Sequence, residues 1–346
     1  MKKGIIVFFL MMVLSLGVIG CAKTTVSEQP GSKLVPIRIG WQVAWATQGQ
    51  IVQELKHSKF LEENGLKGDF KGFTYGAPLS EAALAGNIDV GFAADQPVIS
   101  LIAKGGKYKI VSRLMDFRGA IIVPPESGIE KLSDLKGKTL AIPFGSTTHR
   151  IVLDMLIKAG LDPEKDLKII NMDIAEQAGV INAGDKKLWK GNVNAMASWD
   201  PNVAVFESKG LAKVLKQDVG LAVVYMSDDF IAKNPDKATA FMKAYVKSYY
   251  EFIKNQAQAN TWFVEEARIQ FDPSILNVVS SYEKNIAIKD IKDIDLLINQ
   301  DNIKMMEDGV EFAYKNKMIK VKPVMKDYVN NNLLQQALEQ IKKEGH

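Results

Sequence analysis

Residues 138–159 read KTLAIPFGSTTHRIVLDMLIKA. Lys138 to Ile142 is a short strand pattern, and Gly145 supplies the turn. Thr147 to Ala159 then carries apolar residues at helical spacing, and Gly160 ends it. This strand–turn–helix unit recurs on both sides. Upstream, Ile37 to Trp41 reads as a strand and Gln48 to Leu61 as a helix. Phe70 to Tyr75 and Ile88 to Phe92 read as strands, each followed by a helix, Leu79 to Ala85 and then Pro97 to Ala103, with Pro97 suited to the first helical position. Tyr108 to Met115 and Ala120 to Val123 read as separate strands. Downstream, Leu167 to Asn171, Val193 to Ala197, Lys213 to Leu215 and Leu221 to Tyr225 are further strands. Strands alternating with helices at this pitch predict an α/β fold built on mainly parallel sheets. Past Tyr225 the chain turns helical. Asn234-Pro235 opens a helix with Phe241, Tyr245, Tyr249 and Phe252 on one face. Other helices are expected at Pro273 to Tyr282, Gln300 to Asn316 and Met325 to Lys343.

The chain has 346 residues, 47% hydrophobic and 24% charged, with a formal charge of +4. These values exclude disorder as the main state and do not point to nucleic acid. One cysteine and three histidines exclude a disulfide framework and a Cys-rich metal site. Lys2-Lys3 followed by the apolar run Ile5 to Leu16 reads as a secretory signal over residues 1–20, too short for a membrane span. Removing it takes away two lysines and no acid, so the charge falls from +4 to +2. Its end, Val18-Ile19-Gly20-Cys21, resembles a lipobox, which implies acylation of Cys21. Residues 21–32 read as a flexible tether.

Candidate functional residues cluster where predicted strands end, which is where open α/β sheets bind ligands. They are Trp41, Gln42 and Trp45 after the first strand, Tyr75 and Gly76 after the second, and Asp95 and Gln96 after the third. Gly145, Ser146, Thr147, Thr148 and His149 form the turn within the opening stretch, and Trp199 and Asp200 follow a later strand. A helix start carries unpaired N–H groups and a partial positive charge, so the hydroxyl run could hold an anion. Ser146 or Thr147 could equally be a plain cap, although one cap needs one hydroxyl. Asp95 and Asp200 could meet an amine or cap helices. His149 near Ser146 lacks an orienting acid, and no phosphate loop, zinc pair or nucleophile elbow is present. No catalytic residue, cofactor or metal is expected. The basic C-terminal stretch (Lys315, Lys317, Lys320, Lys322) reads as a solvated face.

The set of motifs resembles the substrate-binding proteins of ABC importers that serve sulfonates, taurine, nitrate and thiamine-precursor pyrimidines. It is carried by Ile37–Trp41, by Glu81–Gly91 (EAALAGNIDVG), by Leu132–Thr139 (LSDLKGKT), by Gly145–His149 and by Trp199-Asp200-Pro201. The resemblance implies a two-lobed, periplasmic-binding-protein-like (type II) α/β fold, with a two-strand hinge, a ligand cleft and a helical C-terminal region. Lobe one would hold 33–118 and 222–320, lobe two 119–221, and 321–346 a C-terminal helix. It also implies a monomeric, extracytoplasmic protein, lipid-anchored through Cys21, that delivers a small molecule to a permease and its ATPase. A sulfonate or taurine-like anion ranks first, held by Ser146 and Thr147 with His149 nearby and covered by Trp41, Trp45 and Trp199. A pyrimidine, using the Trp and Asp residues, ranks second. Nitrate ranks third, with Arg113 and Arg118 as its only local cations. An enzyme on the same fold is the competing class.

Overall fold

The computed structural model describes residues 34–268 and 270–345. The predicted signal, the tether and Cys21 lie outside them. The first half of the chain runs β1 (Val35–Gln42), α1 (Gln48–His57), α2 (Phe60–Glu63), β2 (Leu66–Phe73), α3 (Gly76–Leu84), β3 (Val90–Ala94), α4 (Asp95–Ala103) and β4 (Tyr108–Val123). It continues through β5 (Thr139–Ile142), α5 (Thr147–Lys158), β6 (Lys168–Asn171), α6 (Gln177–Asn182), β7 (Ala195–Trp199), α7 (Asn202–Ser208) and β8 (Lys213–Ser227). Six helices close the chain: α8 (Asp228–Lys233), α9 (Pro235–Lys254), α10 (Gln256–Ala267), α11 (Ile275–Ser280), α12 (Gln300–Lys315) and α13 (Asn332–Lys343).

The eight strands of the described residues form one sheet, in the order β2-β1-β3-β8-β4-β7-β5-β6. The β2-β1-β3 and β7-β5-β6 groups are each parallel, as the alternating pattern predicts. They are joined by β4 and β8, which pair antiparallel with each other and with their outer neighbours. This makes the two mainly parallel groups one continuous sheet, joined through two strands. It also merges two pairs of expected strands, because β4 runs unbroken for 16 residues and β8 for 15. At about 3.3 Å per residue each spans roughly 50 Å, long enough to serve both halves. Phe117, Arg118 and Gly119 look like a break in the sequence but pair in register with Gly220, Val219 and Asp218.

Helices cover both faces, so β3 and β7 are buried along their whole length. The predicted aromatic face of α9 is fully buried, and Phe92 of β3 packs between Phe241 and Tyr245. The motif acid Asp89 accepts hydrogen bonds from the Arg38 backbone N–H (2.8 Å) and guanidinium (2.6 and 2.9 Å), tying the start of β3 to β1. Some boundaries shift. The Gln48–Leu61 helix breaks at Ser58, and α4 starts at Asp95, so Pro97 is its third residue and not its first. The last expected helix splits into a short turn at Met325–Tyr328 and α13. No helix among the described residues is long and apolar enough to cross a membrane.

Glu54 of α1 is buried without a cation, and burial, reinforced by the charge of Glu251, pushes its carboxyl up to about 7. The folded protein therefore keeps a proton that the unfolded chain releases near 4.5. The contribution of Glu54 to stability should fall as pH rises through that interval, by about 3 kcal/mol in all. Glu54→Gln should remove this fall and be the more stable protein above pH 7. Urea unfolding of both proteins at pH 5 and pH 8 checks it, and an unchanged difference between the two pH values would contradict it.

Candidate functional site

Several strand-end loops meet in one small, partly open cavity. Gln42 and Trp45 reach it from the end of β1, Gly76 from the start of α3, and Ala94 and Pro97 from the start of α4. Ser146, Thr147 and Thr148 come from the start of α5, Trp199 from the end of β7, and Phe117 from the middle of β4. Among the described residues, no charged side chain lines the space. Trp45 and Phe117 meet edge to face, with ring centroids 5.0 Å apart, and with Trp199 and Pro97 they form its apolar walls.

The start of α5 is built by local rules. Gly145 takes φ 80°, which a side chain would strain, and sits close to Ala77. Ser146 is the N-cap. Its Oγ accepts from the His149 N–H at 3.0 Å and donates to the Pro143 carbonyl at 2.8 Å. The Arg150 N–H reaches the Ser146 carbonyl. The N–H groups of Thr147 and Thr148 are left without a partner among the described residues, and both residues face the cavity. The Thr148 hydroxyl is buried and also has no partner. α3 and α4 likewise begin at the cavity wall, so three helix N-termini of at least nine residues each converge on one space. Each contributes a fractional positive charge, but the free backbone donors are those of α5, since on α4 the Gln96 N–H is taken by the Thr147 hydroxyl and Pro97 has none.

Other expected site residues are engaged elsewhere. Trp41 lies in the core, with the Lys56 ammonium 4.2 Å from its ring centroid. Tyr75 packs against the same core. The Gln96 amide donates to Ser100 and not into the cavity. Asp95 is fully buried, accepting from the Thr147 hydroxyl at 2.7 Å and pairing with Arg150 at 2.5 Å. Asp200 accepts from Arg118 at 2.7 and 2.9 Å and from the Ala204 N–H. Neither aspartate is free for an amine. Their arginine partners also account for Arg118, and Arg113 is held by Glu283 and Asp116, so neither cation expected for nitrate faces the cavity. His149 stacks on Phe144 outside the cavity, and its Nδ1 accepts from the Gly145 N–H. Burial pulls its pKa down to about 4, so it is neutral at pH 7. Ser146 and His149 do not form a nucleophile–base pair, since the Ser146 proton goes to a carbonyl.

Phe117 lies outside every expected site segment, whereas Ala94 and Pro97 belong to the strand-end segment Phe92–Pro97 without being singled out in it. Phe117 lies in the apparent gap within β4, and the sequence marks Pro97 chiefly as a helix opener. A local signal does mark the loop that carries Trp45: Thr47 holds φ 65°, rare for a β-branched residue.

The profile of the NMT1/THI5-like family matches residues 56–259. The chain belongs to that family. Among NMT1/THI5-like relatives, a Bacillus subtilis (strain 168) protein provisionally named as an aliphatic sulfonates-binding protein is 24% identical over 98% of each chain. The taurine-binding periplasmic protein of Escherichia coli K12 is 25% identical over 57% of this chain and 61% of its own. In structure, the alkanesulfonate-binding protein SsuA of Xanthomonas axonopodis pv. citri, solved with MOPS, superposes with a TM-score of 0.70 at 20% identity, covering 86% of this chain and 99% of its own. This NMT1/THI5-like chain therefore has the periplasmic-binding-protein fold.

Proposed function

We propose that the protein is an extracytoplasmic solute-binding component of an ABC importer, and that its ligand is a small organic sulfonate. The observation that carries the ligand class is the convergence of the α3, α4 and α5 N-termini on an uncharged, aromatic-walled cavity. N–H and hydroxyl donors suit a diffuse oxyanion, and the Trp45, Phe117 and Trp199 walls suit a short alkyl body. The family relatives named for sulfonate and taurine binding support the same reading. Because Asp95 and Asp200 are each neutralised by an arginine, an unsubstituted alkanesulfonate fits better than taurine, whose ammonium would lack a partner. The engaged arginines weigh against nitrate, and the engaged aspartates against a pyrimidine. The Ser146 hydroxyl, turned to the Pro143 carbonyl, and His149, stacked on Phe144 away from the cavity, weigh against an enzyme that uses them as a nucleophile–base pair.

In this reading residues 33–118 with 222–320 form one lobe and 119–221 the other. They hinge where β4 and β8 cross near Arg118 and Leu221, and 321–346 is a C-terminal extension. Binding selects the closed pairing of the lobes, which the importer's permease recognises. The protein acts as a monomer held to the membrane through lipid on Cys21.

A thermal-shift panel of ethanesulfonate, butanesulfonate, taurine, nitrate and a pyrimidine tests the ligand class. A ligand at about 100 times its Kd adds about 2.7 kcal/mol. The alkanesulfonates should raise the midpoint by several degrees and taurine by less. A response to nitrate or the pyrimidine alone, or to nothing, would overturn the assignment.

A further inference from the structure

Arg150 lies on α5, yet its side chain reaches across to elements from the other half of the sheet. Its guanidinium pairs with Asp95, the first residue of α4, at 2.5 Å. It lies against Gly309 of α12, where an added Cβ would come within 3.4 Å of both Nε and Cζ. Asp95 is fully buried, and its other oxygen accepts from the Thr147 hydroxyl at 2.7 Å. That hydroxyl in turn accepts from the Gln96 N–H at 3.0 Å, and Thr147 lines the cavity. A buried negative charge thus sits one hydroxyl away from a space otherwise built for an anion. Unpaired, it would repel one strongly in so dry a setting.

We infer that Arg150 is a cross-cleft positioning residue: seated in the slot left by Gly309, it cancels the charge of Asp95 beside the cavity and so lets the site take an anion. It touches no part of the cavity itself and acts through Asp95 and Thr147. The inference rests on the anion reading of the site.

The test is a calorimetric titration of ethanesulfonate into the intact protein and its Arg150→Met, Asp95→Asn and doubly substituted forms. Arg150→Met should weaken binding about 30- to 100-fold, because it leaves Asp95 charged and unpaired. Adding Asp95→Asn should restore affinity to within about fivefold of the parent, and Arg150→Lys should keep most of it. Unchanged affinity in Arg150→Met would overturn the inference. So would a double variant as weak as the single one, since a purely structural latch predicts no rescue. If Arg150→Met fails to fold, Arg150→Gln takes its place in the cycle. Failure of the parent protein itself to bind ethanesulfonate is a different result, which overturns the anion reading and this inference with it.

Discussion

Glu283→Ala is expected to lower the unfolding free energy by about 3–5 kcal/mol, the largest stability loss of any single substitution considered for this protein. Glu283 has no exposed side-chain surface and grips Arg113 of β4 through two bonds of 2.7 and 2.9 Å. Its oxygens also accept from the Asp116 N–H and from the backbone and side chain of Asn285. Burial works against a charged Arg113, and the Glu283 hydrogen bonds and charge more than offset it, so its pKa is raised. Removing the carboxylate strands a guanidinium that is 2% exposed, with only Asp116 beside it. The loss also reaches the β4–β8 pairing, because Arg113 sits at a bulge in that ladder. The double replacement Arg113→Met with Glu283→Leu should recover the part of the loss that comes from the unpaired guanidinium, but not the part from the Asp116 and Asn285 donors that lose their acceptor. Chemical denaturation of the three proteins measures both effects. A loss below about 1 kcal/mol in Glu283→Ala would show that water or Asp116 already carries the arginine.

The layered α/β architecture was legible because strand and helix periods alternate cleanly around each turn. β5, Gly145 and α5 fall almost where the hydrophobic spacing puts them. The long strands were not legible, for a physical reason. Lys216 to Val219 is exposed, so a polar stretch that reads as a loop is the solvent-facing middle of β8. In the site, Gln42, Trp45, Gly76, Ser146, Thr147, Thr148 and Trp199 meet as their strand-end positions suggest. Trp41, still inside β1, points into the core, while Trp45, beyond the strand, reaches the cavity. Asp95 and Asp200 looked available because the arginines that hold them lie 55 and 82 residues away. Such pairings belong to tertiary structure and leave no local trace. Phe117 and Pro97 escaped because they wall the cavity from inside a strand and a helix.

Thr148→Val is expected to move stability and affinity in opposite directions. The Thr148 hydroxyl is buried and has no partner among the described residues, and Thr148 lines the cavity. It lies over Gly119 of β4, where an added Cβ would come within 3.2 Å of its Oγ1. A buried hydroxyl without a partner costs about 1–3 kcal/mol. The nearly isosteric valine removes that cost, so the ligand-free protein should gain about 1 kcal/mol. The same change removes a donor to the anion, and hydrogen bonds to charged groups contribute about 1.5–3 kcal/mol. Ethanesulfonate affinity should therefore fall by about 10- to 100-fold. Ser146→Ala removes a helix cap instead, so it should lose stability and affinity together. The contrast separates a residue that serves the ligand from one that serves the helix. Unfolding and titration on the same two variants decide it. If Thr148→Val lowers stability while leaving affinity unchanged, the hydroxyl is a packing group and the anion lies elsewhere in the cavity.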